Sequence, residues 1–300
     1  MKHVVSISLG SSRRNHKVVQ DFCGQSITVE RLGTDGDKKK AIQLIRELDG
    51  QVDAFGLGGT DLYIYAGGRR YTFRESAHIA AAARKTPIVD GSGVKNTLER
   101  RVVSYLAKTQ GVLFENRPAL VVCAVDRFGL AEALVQAGSN VVFGDLLFGL
   151  GLPIPIRSLS GLARLARIAA PVVTKLPIHF FYPIGGKQTV NTPRFSSYFN
   201  KAEVIAGDFH FIRRYMPRSL TGKTLITNTV TAEDQALLKD RGVATLVTTT
   251  PDMGGRSFGT NVLEAVLVAL AGKGTKQLLP EEYEELLNQL QVHPRITRFS

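Results

Sequence analysis

The sequence predicts an α/β protein of two domains, each built on a mostly parallel sheet. Apolar runs of strand length at 52–57 and 120–125 are continuous, as strands covered on both faces require. Such runs alternate with helically spaced segments along the chain, which implies parallel strands joined by right-handed crossovers. Segment 118–145 shows the unit most compactly. A strand at 120–125 leads through Asp126-Arg127-Phe128-Gly129 into a helix at 130–137 ending at Gly138. A second strand at 141–143 then stops at Gly144-Asp145. An acidic residue in that last position is where dinucleotide enzymes hold the adenosine ribose, so the second domain is expected to be Rossmann-like. The glycine fingerprint is reduced: Gly129 remains, with Ala124 and Asp126 where earlier glycines would stand.

The first half begins with a strand at 4–9 and a hairpin at 17–22 and 27–32 around Cys23-Gly24-Gln25. Asp35-Gly36-Asp37 starts a helix to residue 48, with Ala41, Ile42, Leu44, Ile45 and Leu48 on one face. Next come the strand at 52–57, a hairpin at 62–65 and 70–74 about Gly67-Gly68, a helix at 76–84 and a short strand at 87–89. Asp90-Gly91-Ser92-Gly93 opens a long helix to residue 108 that bridges the halves. The boundary falls at 111–118. Residues 1–112 are therefore expected to form an N-terminal substrate or ligand domain, 113–275 a dinucleotide-binding domain, and 276–300 a C-terminal helix and basic tail.

In the second half a helix at 161–169 follows Pro153 and Pro155. Residues 177–193, with Phe180-Phe181-Tyr182-Pro183 and Gly185-Gly186-Lys187, are expected to form a loop over the site. Strands at 203–206, 223–227 and 244–248 and a helix at 232–241 follow, and a helix at 260–270 is expected to close the second domain.

Composition narrows the function classes. No apolar run reaches the ~18 residues a bilayer span needs, and Met1-Lys2-His3-Val4-Val5 enters a strand without a signal-peptide layout. A cytoplasmic location and no membrane partner are expected. Cys23 and Cys123 form neither a disulfide framework nor a zinc set, and the dispersed carboxylates suggest no metal. No nucleophile elbow is present. The net charge of +12 comes from scattered groups such as Arg13-Arg14, Lys38-Lys39-Lys40, Arg69-Arg70, Arg100-Arg101 and Arg213-Arg214. That pattern fits a solvated surface or a small anionic metabolite better than nucleic acid. A homodimer is left open.

Ligands of parallel sheets sit beyond the carboxyl ends of strands, which selects the loops to weigh. Gly10-Ser11-Ser12-Arg13-Arg14 offers N–H groups and guanidinium for a phosphate or carboxylate, making Ser11, Ser12 and Arg13 substrate candidates; the alternative is a polar turn. In Gly56-Leu57-Gly58-Gly59-Thr60-Asp61, Gly59 and Thr60 allow close approach and Asp61 could orient a hydroxyl, or cap a turn. Asp90-Gly91-Ser92-Gly93-Val94-Lys95 is a strand, glycine turn and helix start, an anion site by geometry though not a Walker loop. Asp90 and Ser92 are substrate candidates there. Lys95 is the candidate acid or base, or a surface lysine on a capped helix. Asp208 and His210 follow a strand, and such a pair can fix an imidazole for proton transfer; the alternative is a structural histidine beside Phe209 and Phe211. Gly254-Gly255-Arg256-Ser257 precedes a helix and reads as an anion cradle for a cofactor, or as a tight passage capped by Thr260.

Taken together, Ser8-Leu9-Gly10-Ser11-Ser12, Gly33-Thr34-Asp35-Gly36-Asp37, Gly56-Leu57-Gly58-Gly59-Thr60-Asp61, Asp90-Gly91-Ser92-Gly93, Ala124-Val125-Asp126-Arg127-Phe128-Gly129 and the stretch 254–261 resemble a bacterial family labelled quinate 5-dehydrogenase, over nearly the whole chain. The resemblance implies a distant likeness to shikimate and quinate dehydrogenases: an N-terminal substrate domain, a bridging helix and a nicotinamide-binding domain. It also implies a Lys-Asp pair for the hydroxyl proton, with Lys95 the nearest candidate. The chain departs from that pattern in lacking the serine-rich substrate motif and the glycine-alanine-rich dinucleotide turn.

The expected function is thus an NAD(P)-dependent oxidoreductase acting on a small hydroxylated carboxylic acid. Asp126, Arg127, Phe128 and Gly129 would meet the pyrophosphate and Asp145 the ribose, favouring NAD over NADP because a 2′-phosphate would face a like charge. Arg256 or Arg13 would hold a substrate carboxylate, with Lys95 or His210 moving the proton. The alternative is a two-domain protein that binds a nucleotide or phosphorylated metabolite without turnover. A third option is an enzyme with a nucleotide as substrate.

Overall fold

The computed structural model describes residues 1–22, 24–177, 191–228, 230–250, 252–253, 256–257 and 259–299, with the main chain alone at 252–253 and 256–257. The chain is α/β with two sheets, as expected. In the first, β1 (Lys2–Ser8), β3 (Gln25–Gly33), β4 (Ala54–Gly58) and β7 (Ile88–Val89) run parallel, and β2 (His16–Phe22) pairs antiparallel with β3, giving the order β2-β3-β1-β4-β7. The pleat of β1 sends Val4 to one face and Val5 and Ile7 to the other. Val5 and Ile7 meet Ala41 and Ile45 of α1 (Lys38–Leu48) and Ile79 of α2 (Arg74–Ala80). The hairpin β5 (Tyr63–Ala66) and β6 (Arg69–Thr72) stands apart from the sheet.

In the second sheet, β8 (Pro118–Val121), β9 (Asn140–Phe143), β10 (Val204–Ala206), β11 (Thr224–Thr227) and β12 (Thr245–Thr248) are all parallel. Their order is β9-β8-β10-β11-β12, so the winding reverses between β8 and β10. One face packs on α4 (Phe128–Gln136) and α5 (Leu159–Val173). The other packs on α6 (Ser196–Lys201), α7 (Phe209–Tyr215) and α8 (Ala232–Asp240). The bridging helix α3 (Ser92–Thr109) gives Val94 and Leu98 to the first core and Val102, Val103 and Leu106 to the second.

Three features differ from expectation. The helix expected to close the second domain, α9 (Thr260–Ala271), lies instead on the first sheet, where Val262, Val266 and Ala269 pack with Val4, Val29 and Ala54. The C-terminal helix α10 (Pro280–Gln289) joins it there through Tyr283 and Leu287. α9 is apolar and buried around nearly its whole girth, with β1 and β4 beneath it, and α10 sets Tyr283 and Leu287 against α9 and α3; that match decides their place. The basic tail forms β15 (Arg295–Arg298), an antiparallel edge on β12, a position where arginines discourage further pairing. The strand expected to reach residue 125 ends at Val121, because the amides of Ala124 and Val125 turn to a side chain instead of a neighbouring strand.

Candidate active site between the two sheets

The carboxyl end of β7 and the start of α4 face each other across a small recess lined by Tyr63, Tyr65, Ser92, Lys95, Asp126 and Gly129. Gly91, at φ +97°, lets the chain leave β7 and enter α3 at once, a conformation that costs other residues strain. Asp90 is buried in this turn and accepts from the Leu62 and Ser92 amides and the Ser92 hydroxyl. Lys95 sits one turn inside α3. Its Nζ donates to Asp126 Oδ1 at 2.7 Å, joining the first sheet's bridging helix to the second sheet's first turn.

Behind this pair lies a buried charge hub. Arg127 donates from Nη1 to Glu99 Oε1 at 2.7 Å and from Nη2 to Asp208 Oδ2 at 3.0 Å, with Asp126 Oδ2 3.7 Å from its Nε. Asn228 also donates to Asp208, at 2.8 Å. Burial and Arg127 oppose a proton on Lys95, but Asp126, Asp61 and Glu99 outweigh them and hold it above its ordinary value. Burial pushes Asp126 up, and Lys95 and Arg127 overcome this to keep it below the usual carboxylate range. The pair at rest is therefore ammonium and carboxylate.

The acids on the first sheet behave differently. Burial, and then Asp61, raise Asp90 to about 7. Burial, and then Asp90, raise Glu264 to about 8, where it accepts from the Gly91 amide at 2.6 Å and from the Tyr283 hydroxyl. Desolvation outweighs the hydrogen bonds in both, so these two acids hold protons near neutrality.

The start of α4 is met by the chain's own carboxylates. Asp145 accepts from Ala124 N at 3.0 Å and Val125 N at 2.8 Å, and burial raises its carboxyl to about 6. Glu99 accepts from Leu130 N at 3.4 Å. At Gly129 an added Cβ would lie 2.3 Å from Asn96 Oδ1, so this glycine serves the close approach of α3 to α4.

Of the candidates read from sequence, Ser92, Lys95, Asp126, Phe128 and Gly129 line the recess. Asp61 and Asp90 act on it electrostatically, and Arg127 and Asp208 stand behind it. Asp208 does not orient an imidazole. It caps α7, accepting the His210 backbone N–H at 2.9 Å, while His210 itself is exposed. Asp145 is turned inward onto the β8–α4 amides and not toward a ribose. Thr60, next to Gly59, is buried and bonded to Ser76 at 2.6 Å. Ser12 and Arg13 belong to a short 3-10 turn, Ser12–Arg14, that Ser11 caps by accepting from Arg13 N, while Asp35 accepts from Ser12 N. Gly254 and Gly255 lie outside the described residues, as does most of the loop expected at 177–193. Arg256 and Ser257 are described only as a two-residue strand, β14, paired with β13 (Asp252–Met253).

Sequence reasoning missed Glu99, Asn96, Tyr63, Tyr65 and Glu264. Helical spacing carried part of the signal: Ser92, Lys95, Asn96 and Glu99 form one polar stripe on a helix whose other buried positions are mostly apolar. Glu264 is a single acid inside an apolar helix. Tyr63 and Tyr65 share a face by the two-residue period of a strand.

Two parallel sheets bridged by one helix, with a polar recess between them, define a two-unit α/β protein. The chain belongs to the family described as Domain of unknown function (DUF8754), whose model matches residues 93–299, and a second model, Domain of unknown function (DUF8753), matches residues 3–90. No curated protein matches the sequence. Among solved structures it is similar to a hetero-hexameric glutamate dehydrogenase from Thermus thermophilus, at 15% identity over 97% of this chain and 73% of that one, TM-score 0.45. It is also similar to a shikimate 5-dehydrogenase from Thermus thermophilus solved with NADP(H) and shikimate, at 11% identity over 97% and 100%, TM-score 0.38. A sugar ABC transport substrate-binding protein from Bordetella parapertussis matches at 11% identity over 91% and 80%, TM-score 0.38. None of these lends a residue role or a ligand to this chain. Among the described residues no helix is long and apolar enough to cross a membrane, and no His, Cys, Asp and Glu group is arranged to hold a metal ion.

Proposed function

We propose that this protein acts on a small hydroxylated organic acid, quinate- or shikimate-like in chemistry, bound where the recess between the sheets opens to solvent. The recess itself encloses only about 20 Å³, the room of one water. The observation that carries the reading is the Lys95–Asp126 ion pair, contributed by the bridging helix and by the turn between β8 and α4, and facing that recess. Ser92 and Tyr65 supply hydroxyls for a polyhydroxylated ligand. Arg70, whose guanidinium lies 3.8 Å over the ring of the lining residue Tyr63 and donates to Gln277, is the cation we assign to a ligand carboxylate. With Lys95 held as ammonium, the pair donates a proton to a carbonyl oxygen, or stabilises an alkoxide, which is the task of an oxidoreductase working at a carbinol carbon. The proposal takes residues 1–112 with α9 and α10 as the first unit and the remainder of 113–275 as the second.

A nicotinamide dinucleotide would supply the redox chemistry of such a reaction. The residues at the β8–α4 turn do not fit its pyrophosphate as they stand, since Asp145 and Glu99 already occupy the amides that would receive it and Asp126 adds a third negative charge. No step is assigned to the dinucleotide for that reason. The same observation weighs equally against the nucleotide or phosphorylated ligand expected of a binding protein from sequence, and leaves as the second reading a two-unit protein that binds the hydroxy acid without turnover.

Calorimetric titration with NAD, NADH, NADP and NADPH, with ATP as control, followed by quinate and shikimate, separates the two. Micromolar binding of one nicotinamide form together with a hydroxy acid supports the oxidoreductase. Hydroxy-acid binding alone supports the binding protein. No binding of any hydroxy acid overturns both.

A further inference from the structure

Exposed apolar side chains concentrate in one part of the molecule. Leu150, Leu152, Ile154, Ile168, Val172 and Leu176 all fall in a single stretch around α5. On the helix they are ordered. Ile168 is 76% exposed, Val172 61% and Leu176, just past the helix end, 42%, at four-residue spacing on the side opposite the buried Leu162, Ala166 and Ala170. Arg164, Arg167 and Lys175 share that outer face, and Arg157 precedes it. Among the described residues none of these four cations makes an ion pair. The surrounding sequence is charged in one sense only: between Asp145 and Glu203 there are seven Lys or Arg and no Asp or Glu.

We propose that the outer face of α5 docks on an anionic lipid surface, with Ile168, Val172 and Leu176 entering the headgroup layer and Arg164, Arg167 and Lys175 meeting lipid phosphates. A helix that is apolar along one strip and cationic beside it lies in the plane of a membrane interface, and each basic residue near an anionic leaflet adds to the attraction. This is a different placement from a span, so the lack of a spanning helix among the described residues does not bear on it. A second copy of the chain is a poor occupant. A two-fold interface sets each patch against itself, and this patch would oppose cations to cations with no acid between them. Nucleic acid would meet the cations but leave the apolar strip uncovered. The surface is separate from the recess, so the proposal does not depend on the function inferred there.

The test is co-sedimentation of the whole chain with vesicles of phosphatidylcholine alone and of phosphatidylcholine mixed with phosphatidylglycerol. Sedimentation with the mixed vesicles, release at high salt and little binding to the neutral ones are expected. The double variant Ile168→Ser, Val172→Ser, with both changes on the solvent side, should lower the partition about tenfold. Val19→Ser, an exposed apolar position on β2, should leave it unchanged. No sedimentation, equal binding to both compositions, or a double variant that sediments like the wild type overturns the proposal. So does a wild-type dimer in light scattering that the double variant abolishes, because the face would then belong to a second copy.

Discussion

Arg127 and Asp208 meet across the point where the second sheet reverses its winding, Nη2 to Oδ2 at 3.0 Å. Sheets of this kind leave a crevice between the two strands that flank the reversal, and ligands enter it. Here a buried ion pair bridges the residues that follow β8 and β10, and Glu99 from the bridging helix completes it. The polar recess is displaced toward the first sheet, and the hub becomes the joint that fixes one unit against the other.

Arg127→Met is expected to lower the unfolding free energy by about 3–5 kcal/mol, because Glu99 and Asp208 would be left with uncompensated negative charge. Urea denaturation of both proteins measures it. A loss below about 1 kcal/mol would show that water reaches the hub and compensates it.

Lys95→Met should behave in the opposite way. Arg127 still faces Asp126, so thermal stability should move by no more than about 1 kcal/mol equivalent. Hydroxy-acid turnover, where the wild type shows it, should fall about 100-fold or more, the usual worth of a positioned proton donor. A variant with full turnover would remove Lys95 from the chemistry.

The pH dependence of stability should carry the mark of the buried acids. Glu264 is raised from an ordinary 4.5 to about 8, so the native state holds its proton more tightly than the unfolded chain. Its contribution is fully present below about 4.5 and is lost as pH rises through about 8. Asp90, raised to about 7 from 3.8, adds the same sign over its own window. The melting temperature should therefore fall from pH 5 to pH 8, and Glu264→Gln should flatten that fall. Parallel wild-type and variant curves would mean that Glu264 ionises normally.

Gly129→Ala is predicted to cost about 1–3 kcal/mol through overpacking, since the new methyl would meet Asn96 Oδ1 at 2.3 Å and Asn96 O at 2.9 Å. The partner variant Asn96→Ala removes the nearer obstacle, and the double variant should recover part of the loss. A double-variant cycle measured by denaturation reports the coupling.

The fold was legible where covalent periodicity reports burial. Continuous apolar strands such as Leu120–Val122 and the helical face of Ala41 and Ile45 announce themselves. Which sheet a helix covers is not local information. Nothing within Thr260–Ala271 distinguishes a cover for β1 from a cover for β12. The site was partly legible for the same reason. Lys95 and Asp126 stand in glycine-bearing turns at strand ends and were found, while their meeting depends on the angle between two sheets. Asp145 stands at the end of β9, where the sequence marks an acidic residue. Its role turned on the direction of one side chain, which satisfies two amides that the shortened strand left unpaired. Sequence proximity pairs Asp208 with His210, yet its side-chain partners are Arg127 and Asn228, brought by the turns after β8 and β11.

The placement of α9 and α10 bears on how the molecule is made. Val4, Val29 and Ala54 emerge from the ribosome early, but the helices that cover them emerge some two hundred residues later. At the ~5–20 residues per second of synthesis, that face stays bare for about 10–40 s. The strands β8 to β12 can meanwhile pair and close. The opening segment of the chain is thus the last to mature, and a nascent polypeptide halted before residue 260 would present its apolar underside to chaperones.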